Sequence, residues 1–507
     1  MLSIRFRRLV SLTLFCALLL SLLAPALAQE AMYASDFTAG TDGFYPRSMG
    51  SAALSCADGA LWIHGRSGDW HSPGRDFDIV PGEEYTMSVE VYQDEMDTAE
   101  FILSVAHSKN GSESYENLGR AKAKRGEWTP VSAKWVAGNF ERFVLYVETM
   151  NAPNLSYAIR AFTVQGRAAD FGAEDIPSLR ETYAALFDFG TALTEKECLS
   201  KARMAFCASQ FSIVTPGNEL KPDFVLDVRK SAELSAEDDA AVAISLDRAL
   251  PMLTFARENE LKVHGHVLVW HEQTPEAFFR EGYDINRPYV SREVMLRRLE
   301  NYIRAVFEET ESAFPGLIVS WDVLNEAIDD STGKLRASRW LTVVGDDYPE
   351  RAFELARRYA PDGVKLYYND YNTAYAGKRA GIITLLRRLM AEGNLDGYGF
   401  QMHHSITQPS LKSIEDALTD VSALGLILRV SELDVTIPAG TDENFTAQAV
   451  FYGDLMRLLI PYAGQLEAVQ VWGMTDDQSW RASGYPLLFD RDGQPKKAFF
   501  AVVEALP

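Results

Sequence analysis

Two different rhythms of apolar and polar positions divide the chain. Between residues 31 and 166 they alternate in short runs, at 85–91, 101–106, 142–148 and 157–164. A period of two puts one face of each run in a core and the other in water, as in a half-buried strand. Gly, Pro, Asn and Ser clusters separate the runs and no helical periodicity intervenes, so residues 31–166 read as an all-β sandwich. Residues 167–175, rich in Ala, Gly and acidic side chains, read as a linker.

Beyond residue 176 nearly continuous apolar runs alternate with amphipathic stretches of helical period. Strands are predicted at 186–190, 211–215, 263–270, 318–325, 365–369, 397–403, 427–432 and 468–472. Helices are predicted at 237–260, 293–313, 350–359, 378–391, 411–424 and 445–460. Eight strands alternating with helices over about 330 residues suit a closed (β/α)₈ TIM barrel spanning 176–507 better than an open doubly wound sheet. No strand is followed by a phosphate-cradling glycine pattern, which weakens a nucleotide-binding reading.

Composition changes this picture at the N-terminus. Arg5, Arg7 and Arg8 precede an apolar run over 9–23 and then Ala26-Leu27-Ala28, the layout of a secretory signal peptide ending at about residue 28. A secreted, extracellular protein is expected. No later run approaches ~18 uninterrupted apolar residues, so no membrane span is expected. Losing three arginines takes the formal net charge from −22 to −25. So acidic a chain should be repelled by nucleic acid and by anionic membranes, leaving a neutral polymer or small molecule as partner. Cys56, Cys198 and Cys207 are too few for a disulfide scaffold, and a Cys198–Cys207 bridge is left open. A monomer is expected.

Chemistry gathers at the carboxyl ends of the predicted strands, where parallel barrels build their sites. The 318–325 strand runs into Trp321-Asp-Val-Leu-Asn325-Glu326-Ala327. His264, His266, His271, His403 and His404 all fall on the third and sixth strands or at their ends. Asn218, Glu219, Asn369, Asp370, Glu432 and Asp434 join them, with Trp270, Trp472 and Trp480. Two chemistries compete for this cluster. His264 and His266, on one face of a strand, could form a metal site with His403 and Asp434. Alternatively Glu326 and Glu432, facing each other from strands four and seven, could hydrolyse a glycoside. Three tryptophans favour the second reading, because indole rings suit the apolar faces of sugars.

At these motifs the chain resembles a known family. Thr215-Pro-Gly-Asn-Glu-Leu-Lys221, His264-Gly-His-Val-Leu-Val-Trp-His271 with Gln273, and Trp321 to Ala327 carry the likeness. So do Tyr367-Tyr-Asn-Asp-Tyr-Asn372, Gly399-Phe-Gln-Met-His403, Ser431-Glu-Leu-Asp434 and the segment from Val471 to Arg481. Residues 176–507 resemble a family 10 glycoside hydrolase, an endo-β-1,4-xylanase barrel acting on xylan and xylo-oligosaccharides with retention and without cofactor or metal. The resemblance implies Glu326 as general acid/base, Glu432 as nucleophile, and His403 bonded to that nucleophile with Asp434 orienting its ring. It implies that Asn325 holds the 2-hydroxyl of the reacting sugar and that Trp270 forms a wall beneath it. Asn218, Lys221, His266, Gln273, Trp472 and Trp480 are implied to line the glycone subsites. The chain departs from the family at Gly217, where many members carry a glutamate, so a weaker hold on short xylo-oligosaccharides is expected. Met402 and Ser431 replace a small polar residue and a threonine. A β-1,4-glucanase on the same barrel, or a catalytically weak polysaccharide-binding protein, are the alternatives.

Residues 31–166 resemble a family 22 carbohydrate-binding module through Gly43-Phe44, Arg47, Gly65-Arg-Ser-Gly-Asp-Trp-His71, Tyr115 and Leu145-Tyr-Val-Glu148. That likeness implies a xylan cleft lined by Arg47, Trp70, Tyr115 and Glu148. The bland alternative is that Trp70 and Tyr115 pack the sandwich. Structural calcium is not expected, since the segment Tyr157-Ala-Ile-Arg160 lacks the acidic residues for it.

Overall fold

The computed structural model describes residues 31–506 except 39, 48–51, 110–111, 139, 141, 168–169 and 174. The expected signal peptide over 1–28 lies outside the described residues. The chain divides into two compact units, Met1–Ala169 and Asp170–Pro507, and the division falls within the expected linker.

The first unit holds two antiparallel sheets. One runs in the order Ala53–Ala57, Ala60–His64, Tyr157–Gln165, Glu84–Tyr92, Thr129–Val136, with Ala31–Ser35 also paired to Tyr157–Gln165. The other runs Tyr45–Pro46, Pro73–Phe77, Arg142–Met150, Thr98–Lys109, Ser112–Lys124. Alternation holds along Glu84–Tyr92, where Tyr85, Met87, Val89 and Val91 are buried among Leu61, Phe101, Val147 and Ile159 of the core. The alternation in the sequence shows four of these strands. Ser112–Lys124 escapes it because its side chains are mostly exposed, leaving no apolar face to mark it.

The second unit is a closed parallel barrel. Its strands are Asp188–Leu193, Ile213–Pro216, Lys262–Val269, Ile318–Asn325, Lys365–Asp370, Gly397–Phe400, Ile427–Thr436 and Leu466–Val471. Each pairs with the next, and the first returns to the eighth at Gly190 opposite Gln470. Burial on both sides explains the unbroken apolar runs. Two expectations are corrected. The sixth strand stops at Phe400, because Met402 takes a left-handed φ of 58°, and His403–Ser405 then pairs with the seventh strand alone. The helix expected over 237–260 is limited to Leu250–Glu258, with Pro251 in its first turn. Upstream, Asp238 accepts from the Ala240 amide at 3.0 Å and Ser231 from the Ala243 amide at 2.9 Å, holding that stretch in turns. The other expected helices form as Arg292–Ala313, Tyr348–Tyr359, Ala376–Ala391, Leu411–Ser422 and Asp442–Leu459. No helix of the described residues is long and apolar enough to cross a membrane.

Candidate active site

Between His264 and His266 the third strand needs a glycine. A Cβ at Gly265 would lie 2.2 Å from the Trp321 ring, which packs against Phe307 in the core. Glycine therefore lets the third and fourth strands approach, and the two imidazoles, on the other face of the strand, meet at Asp322. His266 Nδ1 bonds Asp322 Oδ2 at 2.9 Å, and His264 Nε2 lies 3.0 Å from the same oxygen. Burial alone would raise the Asp322 carboxyl, yet the two imidazoles hold it well below the usual carboxylate range. His264 bonds Ser320 at 2.8 Å and is buried below the cleft, whereas His266 reaches the cleft wall. The proposed grouping of His264 and His266 with His403 and Asp434 around a metal is corrected accordingly. The first two serve Asp322, and the last two form a separate pair across the mouth. Among the described residues no group of three or more His, Cys, Asp or Glu is placed to hold a metal ion.

Glu326 ends the fourth strand in a left-handed conformation, φ 53°, of the kind that persists only where surroundings enforce it. Its amide donates to the Asn369 carbonyl at 2.9 Å, and Arg336 donates to its carbonyl at 3.1 Å. Its carboxyl then meets three donors: Trp270 Nε1 at 3.0 Å on Oε2, and Gln401 Nε2 at 3.0 Å and Asn325 Nδ2 at 3.2 Å on Oε1. Trp270 thus lines the cleft and also fixes Glu326, a contact that the motif does not announce.

Glu432 projects from the seventh strand. Asn369 Nδ2 donates to its Oε1 at 2.6 Å, and His403 Nε2 sits 3.0 Å from its Oε2. Asn369 also donates to Asn325 Oδ1 at 3.0 Å, so a single amide links the surroundings of the two carboxyl groups. Ser431 donates to Asn369 at 2.6 Å, preserving the hydroxyl that a threonine would supply. His403 Nδ1 bonds Asp434 Oδ2 at 2.7 Å. Asp434 is itself fully buried and held by Arg481 Nη1 at 2.5 Å and Trp480 Nε1 at 3.2 Å.

Burial would push the His403 imidazole down, but the charges and hydrogen bonds of Asp434 and Glu432 outweigh it and raise it from 6.5 to about 10. A cation between two carboxylates neutralises part of their repulsion. Because folding raises this group, its contribution to stability is complete below about 6.5 and is lost as pH rises through about 10. The melting temperature should therefore fall between pH 6.5 and 10, and less steeply in His403→Gln. Equal slopes for the two proteins would contradict this.

The remaining predicted residues line one cleft of about 460 Å³: Asn218, Lys221, His266, Trp270, Gln273, Trp472 and Trp480, with Asn325, Glu326, His403 and Glu432. Lys221 Nζ donates to Gln273 Oε1 at 2.7 Å and Asn218 Oδ1 at 3.2 Å. Burial holds this lysine below its ordinary range against the pull of Glu432 and Glu326. Asp434 lies behind the cleft. His271 and His404 do not line it either, and burial lowers them to about 4 and about 3. Glu219 turns inward to accept the amides of Glu195 and Asn218. Asp370 pairs with buried Lys378 at 2.8 Å. Cys198 and Cys207 are free thiols. The sequence assigns no role to Thr194, Glu197, Glu272, Tyr371, Gln401 and Gln478 in the lining, nor to Arg481 behind Asp434. A larger cavity of about 750 Å³ lies at the amino ends of the first two strands, near Asp188 and Ser212, and holds none of the candidate residues.

In the first unit Trp70 and Tyr115 are each 61% exposed, so neither packs the sandwich. With Arg47, Tyr146 and Glu148 they line a cavity of about 510 Å³. The Arg47 guanidinium stacks 3.5 Å over the Tyr146 ring. Glu148 accepts from Ser104 at 2.9 Å, and burial raises its carboxyl.

A family model described as "Glycosyl hydrolase family 10" matches residues 178–505, and one described as "Carbohydrate binding domain" matches 29–154. Endo-1,4-beta-xylanase A of Thermotoga neapolitana is 30% identical over 511 residues, covering 94% of this chain and 47% of the relative. Endo-1,4-beta-xylanase B of Butyrivibrio fibrisolvens is 34% identical over 338 residues, covering 65% of this chain and 53% of the relative. The chain thus spans about half the length of these curated relatives. Among solved structures, the CBM22-1–GH10 modules of the Clostridium thermocellum xylanase 10B, complexed with xylohexaose, align with a TM-score of 0.70 and 29% identity. That alignment covers 94% of this chain and 97% of the other.

Proposed function

The chain belongs to glycosyl hydrolase family 10, and on that premise we propose that it is a secreted endo-1,4-β-xylanase working with retention of configuration. The observation that carries this reading is the division of labour between the two carboxyl groups. Glu432 receives a charged donor, the His403 imidazolium, on Oε2 and the Asn369 amide on Oε1, which favours the ionised form that attacks, whereas all three donors to Glu326 are neutral. Glu326, met by Trp270, Gln401 and Asn325, directly follows the fourth strand.

In the first step Glu432 attacks the anomeric carbon, the glycosidic bond breaks, and Glu326 gives its proton to the departing oxygen. In the second, Glu326 takes a proton from water, which displaces Glu432 from the glycosyl ester. Asn325 grips the 2-hydroxyl of the reacting sugar, and Lys221, Asn218 and Gln273 hold the sugars on its non-reducing side. The acidic surface suits a neutral polymer, and residues 1–28 would direct export before cleavage. The exposed Trp70 and Tyr115 rings beside Arg47 and Glu148 support a second xylan-binding cleft in the first unit.

One hydroxymethyl group per sugar separates xylan from β-1,4-glucan, a difference worth about 10–200-fold in a shaped pocket. Hydrolysis of soluble xylan should exceed that of a β-1,4-glucan by at least this order, with short oligosaccharides as products. Trp70→Ala should lose affinity for insoluble xylan while its rate on soluble xylan stays put. Faster cleavage of the glucan would replace this reading by the glucanase one.

A further inference from the structure

Two carboxyl groups that line the cleft, Glu272 and Glu197, take no part in this chemistry, and only Glu197 is buried. Glu197 opens the short 3₁₀ turn Glu197–Leu199 after the first barrel strand. It lines the cleft with Thr194, Gly217, Gly473 and Gln478, which follow the first, second and eighth strands. The strand order sets these opposite the fourth and fifth strands, which lead into Glu326 and Tyr371. Glu197 therefore stands at the end of the cleft remote from Tyr371, on the side of Asn218 and Lys221.

Two glycines leave room in the wall there, beside Thr194 and Gln478. Gly217 and Gly473 offer no side chain, and Gly473, at φ +131°, lies where other residues are strained. Glu197 is only 3% exposed. Its Oε2 accepts from the Thr194 amide at 2.8 Å and the Thr194 hydroxyl at 3.3 Å, while its Oε1 is buried without a hydrogen-bond partner. Native proteins leave few buried polar atoms unpaired, and a sugar hydroxyl can both donate and accept.

We propose that Glu197 is a specificity-determining residue whose Oε1 hydrogen-bonds a hydroxyl of the xylose unit second from the cleavage point on the non-reducing side. It occupies the role left without a side chain at Gly217. The proposal rests on the xylanase reading above. Burial, countered in part by Thr194 and Arg203, raises the carboxyl from 4.5 to about 7, so near neutrality it can donate as well as accept.

The competing role is to tie down the turn at Thr194 alone. Aryl β-xylobioside, which has this second sugar, and aryl β-xyloside, which lacks it, separate the two. Glu197→Ala should lower the ratio of kcat/KM on the xylobioside to that on the xyloside by about tenfold, one hydrogen bond to an ionisable group. Glu197→Gln should recover most of that ratio. Adding Gly217→Glu to Glu197→Ala should also restore it, although the new Cβ, 3.2 Å from the Leu193 carbonyl, requires a small backbone adjustment. If Glu197→Ala does not fold, Glu197→Met carries the same expectation. An unchanged ratio, or an equal loss on both substrates with a lowered melting temperature, overturns the proposal. Wild-type protein that cleaves neither glycoside overturns the xylanase reading, and this one with it.

Discussion

Glu326→Ala is expected to lower xylan turnover by about 10²–10⁴-fold, the usual contribution of a positioned acid/base. A xylose leaving group is a poor one and must be protonated as its bond breaks. A dinitrophenyl xylobioside needs no such help, so its first step should survive in the variant. The glycosyl ester on Glu432 would then accumulate, because water has lost the base that activates it. Azide needs no base. Added azide should therefore restore dinitrophenyl release several-fold and yield the β-glycosyl azide, whereas xylan hydrolysis stays low. Trp270, Gln401 and Asn325 would keep their places around the emptied position, since each has a further anchor or packs against neighbours. Unchanged xylan hydrolysis by Glu326→Ala would remove Glu326 from the mechanism.

Glu432→Ala should be the more severe change, on the order of 10⁴–10⁶-fold on every glycoside, because no covalent intermediate can form. Here a good leaving group gives no relief, since attack itself is lost. The small cavity beside His403 and Asn369 would admit azide or formate, which would attack from the same face and produce the α-glycosyl product. Opposite anomers from the two variants in azide would follow directly from the two roles. The His403 imidazolium keeps Asp434 as partner at 2.7 Å, so the variant should fold. Activity of Glu432→Ala on dinitrophenyl xylobioside within tenfold of wild type would contradict the assignment.

The barrel was legible because burial on both faces writes its strands as largely apolar runs, broken sparsely as by Ser320 and Asp322 in Ile318–Asn325, and because Asn, Glu, His and Trp gather at their carboxyl ends. Glu326 and Glu432 could be named for the same reason. What escaped was whatever depends on local backbone or on distant partners. The stretch before Leu250 carries a helical rhythm, but Asp238 and Ser231 bind its amides and deny them to a helix. The break after Phe400 follows from a left-handed Met402, a conformation that methionine does not advertise. His264 shares a strand face with His266, but it is buried against Ser320 and Asp322, and only His266 lines the cleft. The resemblance makes Asp434 a brace for His403, yet its own support by Arg481 and Trp480, about fifty residues on, is visible only in three dimensions. Glu197 gave no signal at all: an acidic residue in a polar loop looks solvated until the fold buries it.

The two-step account turns on a covalent bond at one residue, and that bond can be observed. A 2-deoxy-2-fluoro-β-xylobioside with a dinitrophenyl leaving group slows the second step more than the first and should trap the intermediate. Mass spectrometry of the digested protein should then find one fluoroxylobiosyl group, on the peptide containing Glu432, with activity lost in step with labelling. Prompt turnover without labelling, or a label on any other residue, would contradict a retaining mechanism centred on Glu432.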